Sequence, residues 1–580
     1  MRFLPLAALV LLGSAPQDPP VDRSPHGLAL SADGRWALTA NAGSHSVSLV
    51  ELDSRKIAAE VAVGKRPFAI AWSGRRAVVT NLRDDSVTVL DVEPPRLEFA
   101  GDVSVGDEPR GVAIDGDRAF VALSGDDAIA VVDLAARKVV ARAAVGDEPW
   151  HVALTPDRRR LAVTCALSMD VRVLDAAKLE PLHTVRMRGH NLRQVAVSPD
   201  GAWAYACNIA ERGAGTTKQN IDRGWVLGNR LSRVPLREDG PREAIAIDVR
   251  GEASADADGV AVSPDGQQLA VACGGSHELL LLRQPLPFVA TGGPGDHIDP
   301  ALRRDAKRFR RVVLGGRPVA AAFTPDGRSV VVTNHLRNLL QVVDVEKGEV
   351  ARLIYLGGAE MAERSPARRG EWAFYDASRS FHQWYSCHTC HTDGHTNGAS
   401  FDTLNDGAYG SAKKTLSLRG IARTAPYTWH GWQKELSAAV EHSLTTTLQG
   451  DPPKKEDVDA LVAFLSTLDF APPRPAADAE AVKRGEAVFK AKGCAACHAP
   501  PDYTTALVHE VGLEDAKDKY RGFNPPPLRG VGTRGPWLHD GRAKSLEEVL
   551  QKHHAPSRVT GKEDLTDAEL RDLVAFLKSI

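Results

Sequence analysis

The sequence lacks an excess of either charge: 72 Lys and Arg stand against 74 Asp and Glu, a formal net charge of -2. No basic field is available for nucleic acid, so that class of partner is not expected. Nor is there an internal apolar run long enough to cross a bilayer as a helix, which takes about 20 residues. No membrane span is therefore predicted. Aromatic residues are sparse, at 6%, and there are only seven cysteines in 580 residues. That length exceeds one ordinary domain and allows several buried cores.

The N-terminus does carry a short apolar run, from Phe3 to Leu12, behind Arg2 and ahead of Gly13-Ser14-Ala15. One positive charge, a short apolar stretch and small residues predict a signal peptide over 1–15, hence a periplasmic or secreted protein. No cysteine follows the run directly, which excludes a lipoprotein anchor.

A unit resembling Gly-x-x-Pro-x-x-(Val/Ile)-Ala recurs at Pro25, Pro67, Pro109, Pro149, Leu192, Ala257 and Pro318. The intervals are 42, 42, 40, 43, 65 and 61 residues. Several units continue into an Asp-Gly turn, such as Ser198-Pro-Asp-Gly201, and then into β-branched strands such as Val330-Val-Val-Thr333. Short strands at this period indicate four-stranded blades. Seven units predict an all-β seven-bladed propeller over 22–358. They resemble the YVTN-type propeller repeat family, a likeness that implies fold rather than activity. The two long intervals hold insertions near 209–245 and 286–310. One or both are expected to pack against the C-terminal part.

Three cysteines, Cys165, Cys207 and Cys273, are isolated in strand-like contexts and read as buried thiols. The other four form Cys387-His-Thr-Cys390-His391 and Cys494-Ala-Ala-Cys497-His498. Both fit the attachment signature of c-type haem. Two thiols one helical turn apart add to the vinyl groups of one porphyrin, and the adjacent imidazole reaches the iron. A zinc ribbon would set its pairs about 15–20 residues apart, whereas these lie 107 apart, from 387 to 494. A thioredoxin-type pair lacks its βαβ context. Two covalent haems are therefore expected, with Cys387, Cys390, Cys494 and Cys497 as attachment residues and His391 and His498 as proximal ligands.

The flanks repeat as well. Arg369-Gly-Glu and Arg484-Gly-Glu precede the motifs, and Leu418-Arg-Gly and Leu528-Arg-Gly follow them. Leu461-Val-Ala-Phe-Leu and Leu573-Val-Ala-Phe-Leu close each half. This order predicts two all-α c-type cytochrome domains, 362–470 and 478–580, joined through Ala471-Pro-Pro-Arg-Pro475.

Ser386-Cys-His-Thr-Cys-His-Thr-Asp-Gly394, Phe523-Asn-Pro-Pro-Pro-Leu-Arg-Gly530 and Gly535-Pro-Trp-Leu-His-Asp-Gly541 resemble the dihaem cytochrome c peroxidase family, which includes the MauG-type enzymes. The resemblance covers roughly 362–580. It implies an oxidoreductase in which a small donor protein, of cytochrome or cupredoxin type, feeds the second haem and the second feeds the first. It implies Trp429 between the haems, and it raises calcium (Ca2+) between the two cytochrome domains. In the family the axial ligand of the second haem falls fourteen residues beyond the His of the His-Asp-Gly motif, which points to His553, where Met or Tyr is the commoner residue. Periodicity also favours His553: Leu546, Val549, Leu550 and His553 share one helical face. His554 is the neighbouring candidate. In the first domain His442 lies near the equivalent position, with His382, His395 and His430 as further candidates. The family's Gln and Glu over the peroxide-binding haem fall on Ala439 and Gln449, which weakens acid–base chemistry there. The alternative expectation is a non-catalytic electron-transfer cytochrome whose propeller docks a protein partner.

Overall fold

The computed structural model describes residues 21–290, 295–357, 364–470, 478–532 and 535–580. The segment 1–15 and the 471–475 linker lie outside the described residues.

Seven four-stranded antiparallel sheets follow one another along the chain, from Pro25–Leu30 to Glu349–Tyr355. They are the seven blades of an N-terminal β-propeller. Each blade opens with an inner strand beginning at or beside an aligned repeat position, as in Pro67–Ser73 and Pro109–Asp115. Turns of the Ser198-Pro-Asp-Gly201 type hold because Gly34, Gly201, Gly266 and Gly327 take φ near +70°, at +69°, +68°, +70° and +68°. The Asp200 carboxylate of one such turn accepts the Ala202 N–H at 3.0 Å. The buried strand positions are Val, Leu, Ile and Ala, and their side chains fill the layers between blades. The isolated cysteines Cys165, Cys207 and Cys273 are buried there, as the strand contexts imply.

Among the described residues no strand is exchanged between the two ends of the ring: the first blade is built wholly from its first four strands. The seam is filled by an apolar layer, Ala37, Val50 and Leu52 against Val331, Leu340 and Ile354, and polar contacts add to it. Thr333 Oγ1 donates to His26 O at 3.1 Å, and Ser24 N donates to Asn338 Oδ1 at 2.6 Å. Arg368, on the helix Pro366–Phe374, lies across it. Its guanidinium pairs with Asp22 at 2.9 Å and donates to His335 O at 3.0 Å.

The C-terminal part repeats one scaffold twice. The helix Pro366–Phe374 packs on Lys455–Leu465, and Ala479–Ala491 packs on Asp567–Ser579. Phe374 meets Phe464 with ring centroids 5.2 Å apart, and Phe489 meets Phe576 at 5.4 Å. Gly420 N donates to Leu468 O and Gly530 N to Ile580 O, at 2.7 and 2.8 Å. Each half therefore has the paired helices expected from the sequence. Between those helices, however, run long segments whose turns are set by side-chain contacts, and the first half adds a two-stranded ribbon, Ser400–Phe401 with Lys413–Lys414.

The first half is seated on the propeller. Ile209, Ile221, Val226 and Leu227, from the first long insertion, share a core with Phe374, Trp384 and Leu461. Thr216 Oγ1 donates to Thr403 O at 2.8 Å. The second insertion touches through His297, whose ring meets Trp384 at 6.4 Å.

Two histidines of the propeller bind carboxylates of the first half: His277 with Asp376 at 2.9 Å and His335 with Glu371 at 3.3 Å. Burial opposes a charged His277, but the Asp376 hydrogen bond and charge outweigh it, and its pKa is raised. Burial likewise opposes the Asp376 charge, but His277 and Ser378 outweigh it and hold its pKa down. The His277 contribution is full below the ordinary imidazole value and is lost as pH rises through its raised value. The Asp376 contribution is full above the ordinary carboxyl value and is lost as pH falls through its lowered one. The pair thus stabilises the junction most in mildly acidic solution. Thermal melts should show His277→Gln losing about 1 kcal/mol at pH 5.5 and less at pH 8. Equal losses at both pH values would contradict this assignment.

Candidate functional site

Each half forms a cavity behind its Cys-x-x-Cys-His segment. The first is walled by Cys387, Cys390, His391, Ala439, Leu448 and Trp429. The second is walled by Cys494, Cys497, His498, His539, His554 and Trp429. Trp429 belongs to both walls, and so do Asn524 and Pro526. The indole is fixed by donating Nε1–H to Lys414 O at 2.7 Å, and the Trp429 carbonyl accepts Asn524 N–H at 2.8 Å. The partition between the cavities is therefore an ordered aromatic wall.

The motif histidines are prepared for a metal. His391 Nδ1 donates to Leu416 O at 2.9 Å and His498 Nδ1 to Tyr503 O at 3.0 Å. That fixes the tautomer and frees Nε2 as a σ-donor, the arrangement metal-bound imidazoles adopt. Burial pulls both rings down to about 4, so both are neutral, as ligands must be. Two thiols and a neutral imidazole on an apolar wall fit a covalently held haem in each half.

The expected distal residues fall differently. The helix Leu546–Glu548 continues into a π turn, Val549–His553, in which His554 N donates to Val549 O five residues back, at 2.7 Å. The wider turn shifts the 3.6-residue phase on which the reading of His553 rested. His554 consequently lines the second cavity, while His553 Nε2 lies 3.6 Å from Glu548 Oε1. His509 also reaches that cavity. Nothing in its loop sequence singled it out.

The first half has the same π turn, Ser443–Thr447, with Leu448 N donating to Ser443 O at 2.9 Å. Its preceding helix, Leu436–His442, has seven residues against three in the second half, one helical turn more. Leu448 is therefore the counterpart of His554. His442 lies before the π turn, away from the cavity wall, with Nε2 on Asn405 O at 2.7 Å and its ring edge-on to Trp432. His430 does line the first cavity. It donates from Nδ1 to Gly522 O at 2.7 Å and stacks on Phe523. His382 sits 3.7 Å from Asp222, and His395 Nδ1 is bonded to Ser417 Oγ at 2.6 Å. Ala439 lines the first cavity, and the Gln449 amide donates to Thr446 O.

Between the halves the buried Asp518 carboxylate takes the Lys413 ammonium, which also donates to Ser411. Among the described residues no group of three or more His, Cys, Asp or Glu is placed to hold a metal ion.

The first attachment segment, Cys387–Cys390, caps the mouth of the propeller channel. Asp256 accepts Ser386 Oγ at 2.6 Å and Thr389 Oγ1 at 2.7 Å, and Asn191 Nδ2 donates to Thr389 O at 2.7 Å. Asp393 points into the mouth, 3.2 Å from Arg110 and 3.7 Å from Arg317. Glu108 binds Arg419 at 3.0 Å. These contacts were not anticipated. The signal was present in the repeat: the residues just after successive aligned positions are His26, Phe68, Arg110, Trp150, Arg193 and Asp258. A run of such unlike residues at one repeat position marks a site rather than a core.

A propeller joined to a haem-attachment scaffold defines the class: a c-type cytochrome carried on a β-propeller. The family model "Cytochrome c" matches residues 482–580, and "YNCE-like beta-propeller" matches 108–213. Hydrazine synthase subunit gamma of Kuenenia stuttgartiensis is 29% identical over 273 residues, covering 37% of this chain and 77% of that relative. Methylamine utilization protein MauG of Methylophilus methylotrophus is 25% identical over 279 residues, 37% of this chain and 82% of the relative. MauG of Methylorubrum extorquens is 36% identical over 119 residues, which span only 34% of its length. A Kuenenia stuttgartiensis hydrazine synthase structure aligns with a TM-score of 0.48 and 23% identity, over 58% of this chain and 99% of that one. The chain thus carries a cytochrome c domain and a YNCE-like propeller segment; it is similar to MauG, as the motif resemblance implied, and to hydrazine synthase subunit gamma, which that resemblance did not name. No described helix is long and apolar enough to cross a membrane.

Proposed function

We propose that the protein is an exported dihaem redox cytochrome with two all-α cytochrome domains, 362–470 and 478–580, behind a propeller over 22–358. Cys387, Cys390 and His391 hold the first haem, and Cys494, Cys497 and His498 hold the second. Two haems so held would supply one-electron chemistry, taking electrons from a small cytochrome or cupredoxin at the second site and delivering them to the first. The observation that carries this reading is Trp429, one side chain in the walls of both cavities. The remaining residues divide the labour. His554 would offer a bound haem an imidazole in the second cavity, whereas Leu448, at the matching place, would offer none. The first site is then the reactive one, with Ser443 and Thr447 among its polar wall residues. Export places the protein in the periplasm or outside the cell, and the outer propeller surface is left for a protein partner.

A non-catalytic electron-transfer role is the second reading. Ala439 favours it, because that stretch of wall offers no acid or base for cleaving a peroxide bond. EPR of the oxidised and one-electron-reduced holoprotein decides between them. A high-spin ferric signal in either state supports the reactive first site. Low-spin signals alone in both states would leave electron transfer only.

Two further outcomes are expected. The Cys387→Ala/Cys390→Ala variant should keep about half the covalent haem measured by pyridine haemochrome, one of the two attachment pairs being gone. Trp429→Ala should slow transfer between the haems on the order of tenfold, about 1.4 kcal/mol in the barrier, measured by flash photolysis. An unchanged rate would remove Trp429 from the path.

A further inference from the structure

Beneath the first attachment segment, the channel mouth encloses a cavity of about 180 Å³. Its wall includes His26, Arg193, Asp258, Arg317, His388 and Asp393. It lies on the side of Cys387–Cys390 away from His391, so it is separate from the haem cavity. Its hydrogen bonding is incomplete. Arg193 Nε, Arg317 Nε and His388 Nε2 have no hydrogen-bond partner, although the three residues are only 3%, 4% and 1% exposed, and His151 Nδ1, in the same wall, has none either. The Arg atoms are N–H donors by nature. His388 Nδ1 accepts Asp393 N–H at 3.1 Å, so a neutral ring carries its proton on Nε2 and donates there too. A buried donor left without a partner is costly, so three around one cavity point to a ligand that brings acceptors.

The guanidiniums of Arg110, Arg193 and Arg317 face the carboxylates of Asp258 and Asp393. Glu108 is shared between Arg419 at 3.0 Å and Arg110 at 3.7 Å, and Asp256 accepts from Ser386 and Thr389. A volume of this size holds several waters, at about 30 Å³ each, or one small planar ion, and excludes a nucleotide.

We propose that this cavity binds a small monovalent oxyanion, of the nitrate or formate kind, between Arg193, Arg317 and His388. Such an ion presents acceptors alone, which is what the unpaired donors of this wall lack. The site goes beyond the redox reading and stands without it.

The test uses full-length holoprotein at low ionic strength without chloride. Calorimetric titration with nitrate and with formate should give saturable one-to-one binding that leaves the Soret band unmoved. Arg317→Gln and, separately, Arg193→Gln should each weaken that binding about tenfold. A wild-type crystal soaked in bromide should show anomalous density between the two arginines, a result that needs no variant to fold. The proposal is overturned by an absence of both saturable heat and bromide density, which means water alone in the cavity. It is also overturned by equal affinity in both variants, or by binding that shifts the Soret band and so belongs to an iron.

Discussion

Replacing His554 by Ala should convert the second haem from low spin to high spin, while His553→Ala should leave its spectrum unchanged. The two residues are neighbours, so the contrast tests geometry and little else. His554 faces the cavity because the π turn over Val549–His553 carries one residue more than an α turn, and His553 is turned toward Glu548. EPR of the oxidised variants reads the outcome directly. The effect on His554→Ala is the loss of essentially all the low-spin signal of that iron, since an imidazole is a strong-field ligand and Ala supplies none. The reverse experiment uses the first half. Leu448→His places an imidazole at the counterpart position and should create a second low-spin iron. If His553→Ala rather than His554→Ala gives the high-spin signal, the phase assigned to the π turn is wrong.

Gly370→Ala and Gly485→Ala should each destabilise their half by about 3 kcal/mol, the upper end for overpacking. A Cβ at Gly370 would stand 1.8 Å from Ala460 O, and one at Gly485 2.0 Å from Asp572 O. Helix propensity alone predicts the opposite sign, since Ala is favoured over Gly by about 1 kcal/mol in a helix interior. Packing wins because the obstacle is backbone carbonyl, which has no rotamer to escape into. Relief requires the paired helices to part, and that separates Phe374 from Phe464 or Phe489 from Phe576. Urea denaturation followed in the Soret region measures the loss. A gain in stability for either variant would show that the helices pack less closely than described.

The blade number was legible because the aligned unit recurs seven times and several units carry their own turn chemistry: Asp33-Gly34 and its counterparts recur where strands must reverse. That the paired cysteines would line two cavities was legible because their motif has a fixed local spacing. What escaped was set by register and by tertiary contact. The position of His554 depends on a π turn that no periodicity of 3.6 anticipates. The misplacement of His442 follows from one extra helical turn in the first half, which an alignment by chemistry alone passes over. The channel mouth escaped for another reason. Arg110, Arg193 and Arg317 are far apart in sequence, and only the closing of the ring brings Arg110 and Arg317 onto Asp393 and Arg193 onto its neighbour Thr392.

The seam of the propeller has a mechanical consequence. Where the described first and last blades share no strand, the ring is a hoop with a joint, closed by side chains alone: an apolar layer and a few polar contacts. Arg368 spans that joint as a clasp, gripping Asp22 on one side and His335 O on the other from a helix that belongs to the first haem-binding half. The part of the chain that follows the hoop therefore fastens it. A propeller cut free after residue 357 would keep its blades and lose its buckle, so it would open first between its first and last blades.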